Sequence, residues 1–174
     1  MIQLLTPRLT LTRLCESDWP FFLQMRKNPQ LMKYIADIGS DEDDRTRFES
    51  RLHDWQPGSV HALDFIIRDR LTSMPLGNIG FKPVEGEVSE VEVGYTLIQQ
   101  AQRKGYASEA LKAVINFAFS NTIITSLRAA VLAGNSGSSK LLENNGFSLS
   151  EVIKDGFFIN GEYHDDLIYN LRKC

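Results

Sequence analysis

Two cysteines in 174 residues, Cys15 and Cys174, supply neither a disulfide framework nor a metal-ligand spacing, so free thiols and no metal are expected. The chain also lacks an apolar run of membrane-spanning length. Its start, Met1-Ile2-Gln3-Leu4-Leu5-Thr6-Pro7-Arg8, has no long apolar core of a secretory signal. A cytoplasmic protein with no membrane partner is the expectation. No Ser/Pro/Gly-rich linker, repeat or low-complexity tract interrupts the chain, so residues 1–174 read as one domain. A chain of this size can bury roughly 70% of its unfolded surface, enough for a core of its own. Basic excess is missing too. The formal charge of −3 argues against nucleic acid as a direct partner and leaves a basic substrate open. Two phosphate motifs are absent as well: a Walker loop needs Gly-Lys followed by Ser or Thr, and a dinucleotide fingerprint needs spaced glycines with an acidic residue on the next strand. ATP and NAD are disfavoured.

What the chain does contain is Gln102-Arg103-Lys104-Gly105-Tyr106-Ala107, lying between an alternating segment at 91–97 and an amphipathic segment that opens near Ala107. A strand that enters a short loop and then a helix leaves several backbone N–H groups without intrahelical partners, all aimed one way. Phosphate oxygens are natural partners for them. Gly105 allows close approach or positive φ, Ala107 does not crowd it, and Arg103 and Lys104 add positive charge. A plain strand-to-helix turn with two solvated cations would look the same in this hexapeptide alone.

Alternation predicts a first strand within 6–14, then a helix capped near Ser17-Asp18 and ended by Asn28-Pro29. Ser40 with Asp43 resembles a capping box, and Phe48, Leu52 and Trp55 recur at helical spacing, so a second helix runs to about Trp55. The acidic run Asp41-Glu42-Asp43-Asp44 suits the positive end of that helix better than it suits a lure for a basic substrate. Strands follow at 62–68, 76–82 and 90–97, the last with Val91, Val93 and Tyr95 on one face and Glu90, Glu92 and Gly94 on the other. Next come a helix over 106–119, a strand over 126–132, and a helix opened by Asn135 and closed by Asn145-Gly146 with Phe147 beyond. Strands at 147–153 and 163–171 finish the chain, with an extension at 157–159 and an Asn160-Gly161 hairpin turn. The strand at 91–97, its crossover helix and the strand at 126–132 form a parallel pair in an otherwise antiparallel sheet, giving a mixed α/β (α+β) layer fold.

Five segments in this order resemble the GNAT superfamily of N-acetyltransferases, and within it the RimJ/RimL-like branch that acetylates N-terminal amines of ribosomal proteins. They are Thr6-Pro7-Arg8-Leu9-Thr10-Leu11; Glu92-Val93-Gly94-Tyr95; Gln102-x-x-Gly105-x-Ala107; Asn135-x-x-Ser138 followed by Leu142-Glu143-Asn144-Asn145-Gly146-Phe147; and Ile159-Asn160-Gly161-Glu162-Tyr163-His164-Asp165. The resemblance implies a sheet of six to seven strands flanked by helices and splayed between its fourth and fifth strands. It implies acetyl-CoA as donor, with pantetheine amides on backbone groups near Tyr95 and Leu97, the pyrophosphate on Gln102, Arg103, Lys104, Gly105, Tyr106 and Ala107, and Asn135 touching the cofactor.

Acetylating an amine requires a neutral amine, a polarised thioester and a stabilised leaving thiolate. Glu92 matches the family's acidic residue and is the expected base, with Glu90 on the same face of the strand. The superfamily often uses a Tyr on the last helix as acid; Leu142 stands there, and Ser138 is the substitute the branch suggests, aided by Asn135 and the helix N-terminus. Ser139 takes that role if the helix is rotated by one residue. Glu90, Tyr163 and His164 are candidate lining of the acceptor pocket, with His164 a minor alternative base. The implied acceptor is a primary amine: the N-terminal α-amine of a protein such as a ribosomal protein, or a small molecule such as a polyamine, amino acid or antibiotic. A non-catalytic acyl-CoA sensor is the competing reading, and the chain is expected to be a monomer or homodimer.

Overall fold

Among the described residues, segments rich in Val, Ile, Leu and Phe form eight strands, and they join one sheet in the order β1-β2-β3-β4-β5-β6-β8-β7. The computed structural model describes residues 2–85, 87–120 and 123–174. The strands are β1 (Gln3–Leu5), β2 (Leu9–Arg13), β3 (Leu63–Asp69), β4 (Pro75–Val84), β5 (Glu87–Leu97), β6 (Ser126–Leu132), β7 (Ser148–Ile159) and β8 (Glu162–Arg172). Every neighbouring pair is antiparallel except β5 and β6, whose parallel pairing needs the crossover helix α4 that Tyr106–Ser120 supplies.

Eight strands replace the six or seven expected because the start of the chain folds back on itself. The Thr6 hydroxyl accepts the N–H of Leu9 at 2.9 Å and the Thr6 N–H donates to Leu9 O at 3.0 Å, a turn that splits one long strand into the hairpin β1–β2. Pro7, with no N–H to give a ladder, suits that break. The other end needs no such correction. Asn160 (φ 53°) and Gly161 (φ 78°) form the two-residue turn between β7 and β8, and the 157–159 extension is the end of a continuous, bulged β7.

The helices α1 (Trp19–Arg26), α2 (Pro29–Met32) and α3 (Asp41–Glu49) cover one face of the sheet. Asn28 does more than end α1: its side chain accepts the N–H groups of Gln30 and Leu31 and so caps the short α2. The Ser40 hydroxyl accepts from Asp43 N at 3.1 Å, as the capping pattern predicts, but α3 stops at Glu49. Phe48 packs on Trp19 and Phe22, whereas Trp55 leaves for the other side and meets Phe81 and Phe117. Helical spacing therefore linked two residues that serve different cores.

Asp44 is 1% exposed and accepts from Arg26 Nε at 2.8 Å, with Lys27 Nζ also at 2.8 Å. Burial alone would raise its pKa, but the bonds from Lys27 and Arg26 outweigh burial and lower it. The acidic run is thus partly a structural anchor between α1 and α3. On the opposite face, Ala110, Leu111, Val114 and Ala118 form the buried stripe of α4. Beside it lies α5 (Ser136–Asn144), capped by Asn135 and ended at Gly146 (φ 89°), with Phe147 buried just beyond. Among the described residues no helix is long and apolar enough to cross a membrane.

Candidate active site

The central gap follows from register. β5 and β6 pair only through Glu90↔Ser126, Val91↔Leu127 and Glu92↔Arg128. Beyond Glu92, β5 stays with β4 as far as Gly77↔Leu97, and β6 stays with β8 as far as Leu132↔Asp166. Their facing edges separate and turn backbone N–H and C=O groups into the opening, where a ligand can satisfy them. The splay lies at the two strands the sequence indicated, which are the fifth and sixth once β1 is counted. Tyr95 and Leu97 stand on the β5 side of it.

At the end of β5 the Gln102 amide donates to Leu97 O at 2.9 Å, tying the strand to the loop. Arg103 (φ 59°) and Gly105 (φ 80°) then turn the backbone into α4. The first helical bond runs from Glu109 N to Gly105 O at 3.1 Å, so the N–H groups of Tyr106, Ala107 and Ser108 are left for an anion. Arg8 braces the loop from outside. It donates to Lys104 O at 2.9 Å and to Glu109 Oε2 at 2.7 Å, and its guanidinium lies 4.6 Å from the Tyr106 ring centre. Burial would raise the Glu109 pKa, but bonds from Thr6 and Arg8 outweigh it and lower it. Sequence reasoning gave Arg8 no role, because its partners lie about a hundred positions away in the chain.

Residues of β5 alternate between the two faces of the sheet, and this alternation separates two chemistries. On the α4–α5 face, Tyr95 Oη and Ser138 Oγ are 2.7 Å apart, and Asn135 Oδ1 accepts from Ser138 N at 3.3 Å. Ser138, not Ser139, is the residue turned to the gap. Burial pushes the Tyr95 phenol up to about 12 against the opposing bond from Ser138, so it stays protonated. It can donate to Ser138 Oγ and leave the serine proton free to point into the gap. A tyrosine hydroxyl, absent at Leu142, is thus present beside Ser138 from β5.

On the α1–α3 face, Glu92 sits 3.5 Å from Arg128 Nε and 3.7 Å from Lys82 Nζ. Asp166 lies across the gap on β8; burial first, then the Glu92 charge, raises its pKa against the pull of Arg128. Both carboxylates line a cavity of about 670 Å³ that also reaches Ser138, Tyr95 and Asn135 through the gap. Gly94 forms its floor, where an added Cβ would meet nothing within 4 Å. Three expected acceptor residues are not brought here. Glu90 pairs with Ser126 where the strands are still joined, Tyr163 is 66% exposed against Phe158, and His164 pairs with Phe157 nearer the hairpin turn. Phe157 and Asp166 line the cavity instead, and Asp166, two residues past His164 on one strand face, was within reach of the same alternation argument.

A helix start with N–H groups open to an anion, a gap in a sheet whose edges can pair with an extended amide chain, and hydroxyl and carboxylate side chains at that gap are the features an acyl-CoA-dependent acyltransferase requires. Residues 8–148 match the family model of the acetyltransferase (GNAT) domain, and the chain belongs to that family. It is an acetyl-CoA-dependent N-acetyltransferase, with acetyl-CoA as co-substrate. The uncharacterized N-acetyltransferase YoaA of Bacillus subtilis is 26% identical over 170 residues, 97% of this chain and 95% of its own. The ribosomal-protein-serine acetyltransferase of Escherichia coli is 26% identical over 152 residues, 87% of this chain and 74% of its own. The RimL ribosomal α-N-protein acetyltransferase, solved with coenzyme A, shares the fold with a TM-score of 0.86 at 21% identity, over 98% of each chain.

Proposed function

We propose that the protein acetylates the N-terminal α-amine of a protein, such as a ribosomal protein, with Glu92 as base and Ser138 as acid. The observation that carries this reading is the cavity beside Glu92, which adjoins a second groove of about 510 Å³ sharing Arg26, Ala36, Arg47 and Ser50 with it. A chain can enter by its terminus and leave its remaining residues along that groove. The similarity to a ribosomal-protein-serine acetyltransferase points the same way. A cytoplasmic location belongs to the same reading.

Bound acetyl-CoA supplies the acetyl group and leaves as a thiolate. An α-amine with a pKa near 8 is already partly neutral at physiological pH, whereas neutralising a lysine takes roughly 3 kcal/mol more. Glu92 can therefore take the amine proton through a water without strong basicity. Ser138 gives its proton on the opposite side of the gap, while Tyr95 holds the serine oxygen and Asn135 holds its backbone N–H. Arg103 to Ala107 hold the pyrophosphate end.

The reading is tested by incubating the protein with acetyl-CoA and three acceptors: a peptide with a free amino terminus, the same peptide N-blocked with an internal lysine, and spermidine. Thiol release and mass analysis should show acetyl on the free α-amine; modification of lysine or spermidine alone would end this reading. In the same assay Ser138→Ala should lower kcat by about tenfold or more, and Tyr95→Phe by less. Because the two hydroxyls act as one unit, the double variant should be no slower than Ser138→Ala. Full additivity would separate their roles.

A further inference from the structure

Three guanidinium groups line the acceptor cavity from the α1–α3 side, and they are not alike. Arg26 donates to the buried Asp44 at 2.8 Å, and Arg51 donates to the buried Asp64 at 2.6 Å. Each is neutralised within the protein. The Arg47 guanidinium has no hydrogen-bond or ion-pair partner among the described residues. Arg47 is exposed overall, yet partial burial, then the like charges of Arg26 and Arg51, push its pKa down, while Asp44 and Asp43 pull the other way. Arg47 stands on α3 where the cavity meets the second groove, and it lines both.

With Arg26 held by Asp44 and Arg51 by Asp64, the charges left along the cavity are Arg47 and Lys82 against Glu92 and Asp166, with Lys82 3.7 Å from Glu92; the second groove adds Asp37 and Asp43. Holding a cation beside two others is unfavourable until an anion arrives.

Distance decides which anion. Asp64, Gly80 and Gly94 form a row across β3, β4 and β5, with Glu92 next to Gly94 on its face of β5. Two strand spacings put Asp64 and its partner Arg51 roughly 10 Å from the Glu92 strand, and Arg47 precedes Arg51 by about one helical turn. The reach from the amine of a free amino acid to its carboxylate, bonded to the carbon that bears the amine, is much shorter than two strand spacings. A side chain two or three residues into an extended peptide can span them, since each residue advances about 3.4 Å.

Resting on the α-amine reading above, we infer that Arg47 is a specificity-determining residue that pairs with an acidic side chain near the amino terminus of the acceptor peptide. The test uses the full chain with acetyl-CoA and peptides identical except at residues 2, 3 and 4, each in turn Glu, Gln or Lys. The wild-type protein should favour Glu over Gln by about tenfold in kcat/KM at one or more of these positions, as a charge-assisted bond would give. In Arg47→Gln the Glu and Gln peptides should converge, and in Arg47→Glu the Lys peptide should overtake the Glu peptide. Thermal melts confirm that both variants are folded. Equal turnover of Glu and Gln peptides by the wild type overturns the inference and leaves the α-amine reading standing. An unchanged Glu/Gln ratio in Arg47→Gln does the same. Failure of every α-amine peptide overturns both.

Discussion

Replacing Gly105 with valine should raise the Kd for acetyl-CoA by about a hundredfold while the protein remains folded. Gly105 has φ 80°, where a side chain costs roughly 1–2 kcal/mol, and its added Cβ would stand 3.3 Å from Arg8 Nη2. Relief of that strain turns the loop and misaims the N–H groups at the start of α4. Losing one charge-assisted backbone bond removes about 1.5–3 kcal/mol of binding, and with the strain the total reaches roughly a hundredfold. Titration calorimetry with coenzyme A measures the first quantity and a thermal melt the second. Unchanged affinity in a folded Gly105→Val variant would place the pyrophosphate elsewhere.

Glu92→Gln should lower kcat about a hundredfold near neutral pH with little change in the KM for acetyl-CoA, since Glu92 lies on the face of β5 opposite Tyr95 and Ser138. The deficit should narrow as pH rises through the amine pKa near 8, because an amine that is already neutral needs no base. Asp166 is the internal competitor, a carboxylate across the gap on β8 whose pKa is raised by burial and by the Glu92 charge. Asp166→Asn, measured beside it, decides between them. A full rate in Glu92→Gln with a large loss in Asp166→Asn would move the base to β8.

Much of the architecture was legible because it is local. Alternation located β5 and gave the bounds of β6, Asn135 and Gly146 marked the ends of α5, and Asn160-Gly161 marked the final turn. The cradle was legible for the same reason: a loop with one glycine before a helix is contained in six consecutive residues. Errors fell where a residue's fate depends on a distant partner. Trp55 keeps helical spacing with Phe48 but is drawn to Phe81 and Phe117, and Thr6 breaks the first strand by bonding Leu9 and Glu109.

The candidate site divides along the same line. The chain by itself determined which residues alternate on β5, and therefore that Glu92 and Tyr95 face opposite ways. Only the tertiary structure decided that Tyr95 would meet Ser138, that Asp166 rather than His164 would reach the gap, and that, of the three guanidinium groups at the cavity, Arg47 would have no carboxylate partner among the described residues. The physical reason is that periodicity fixes the direction of a side chain relative to its own strand or helix. What waits there is set by elements that arrive from far along the chain, and burial then fixes the cost of each charge they bring together.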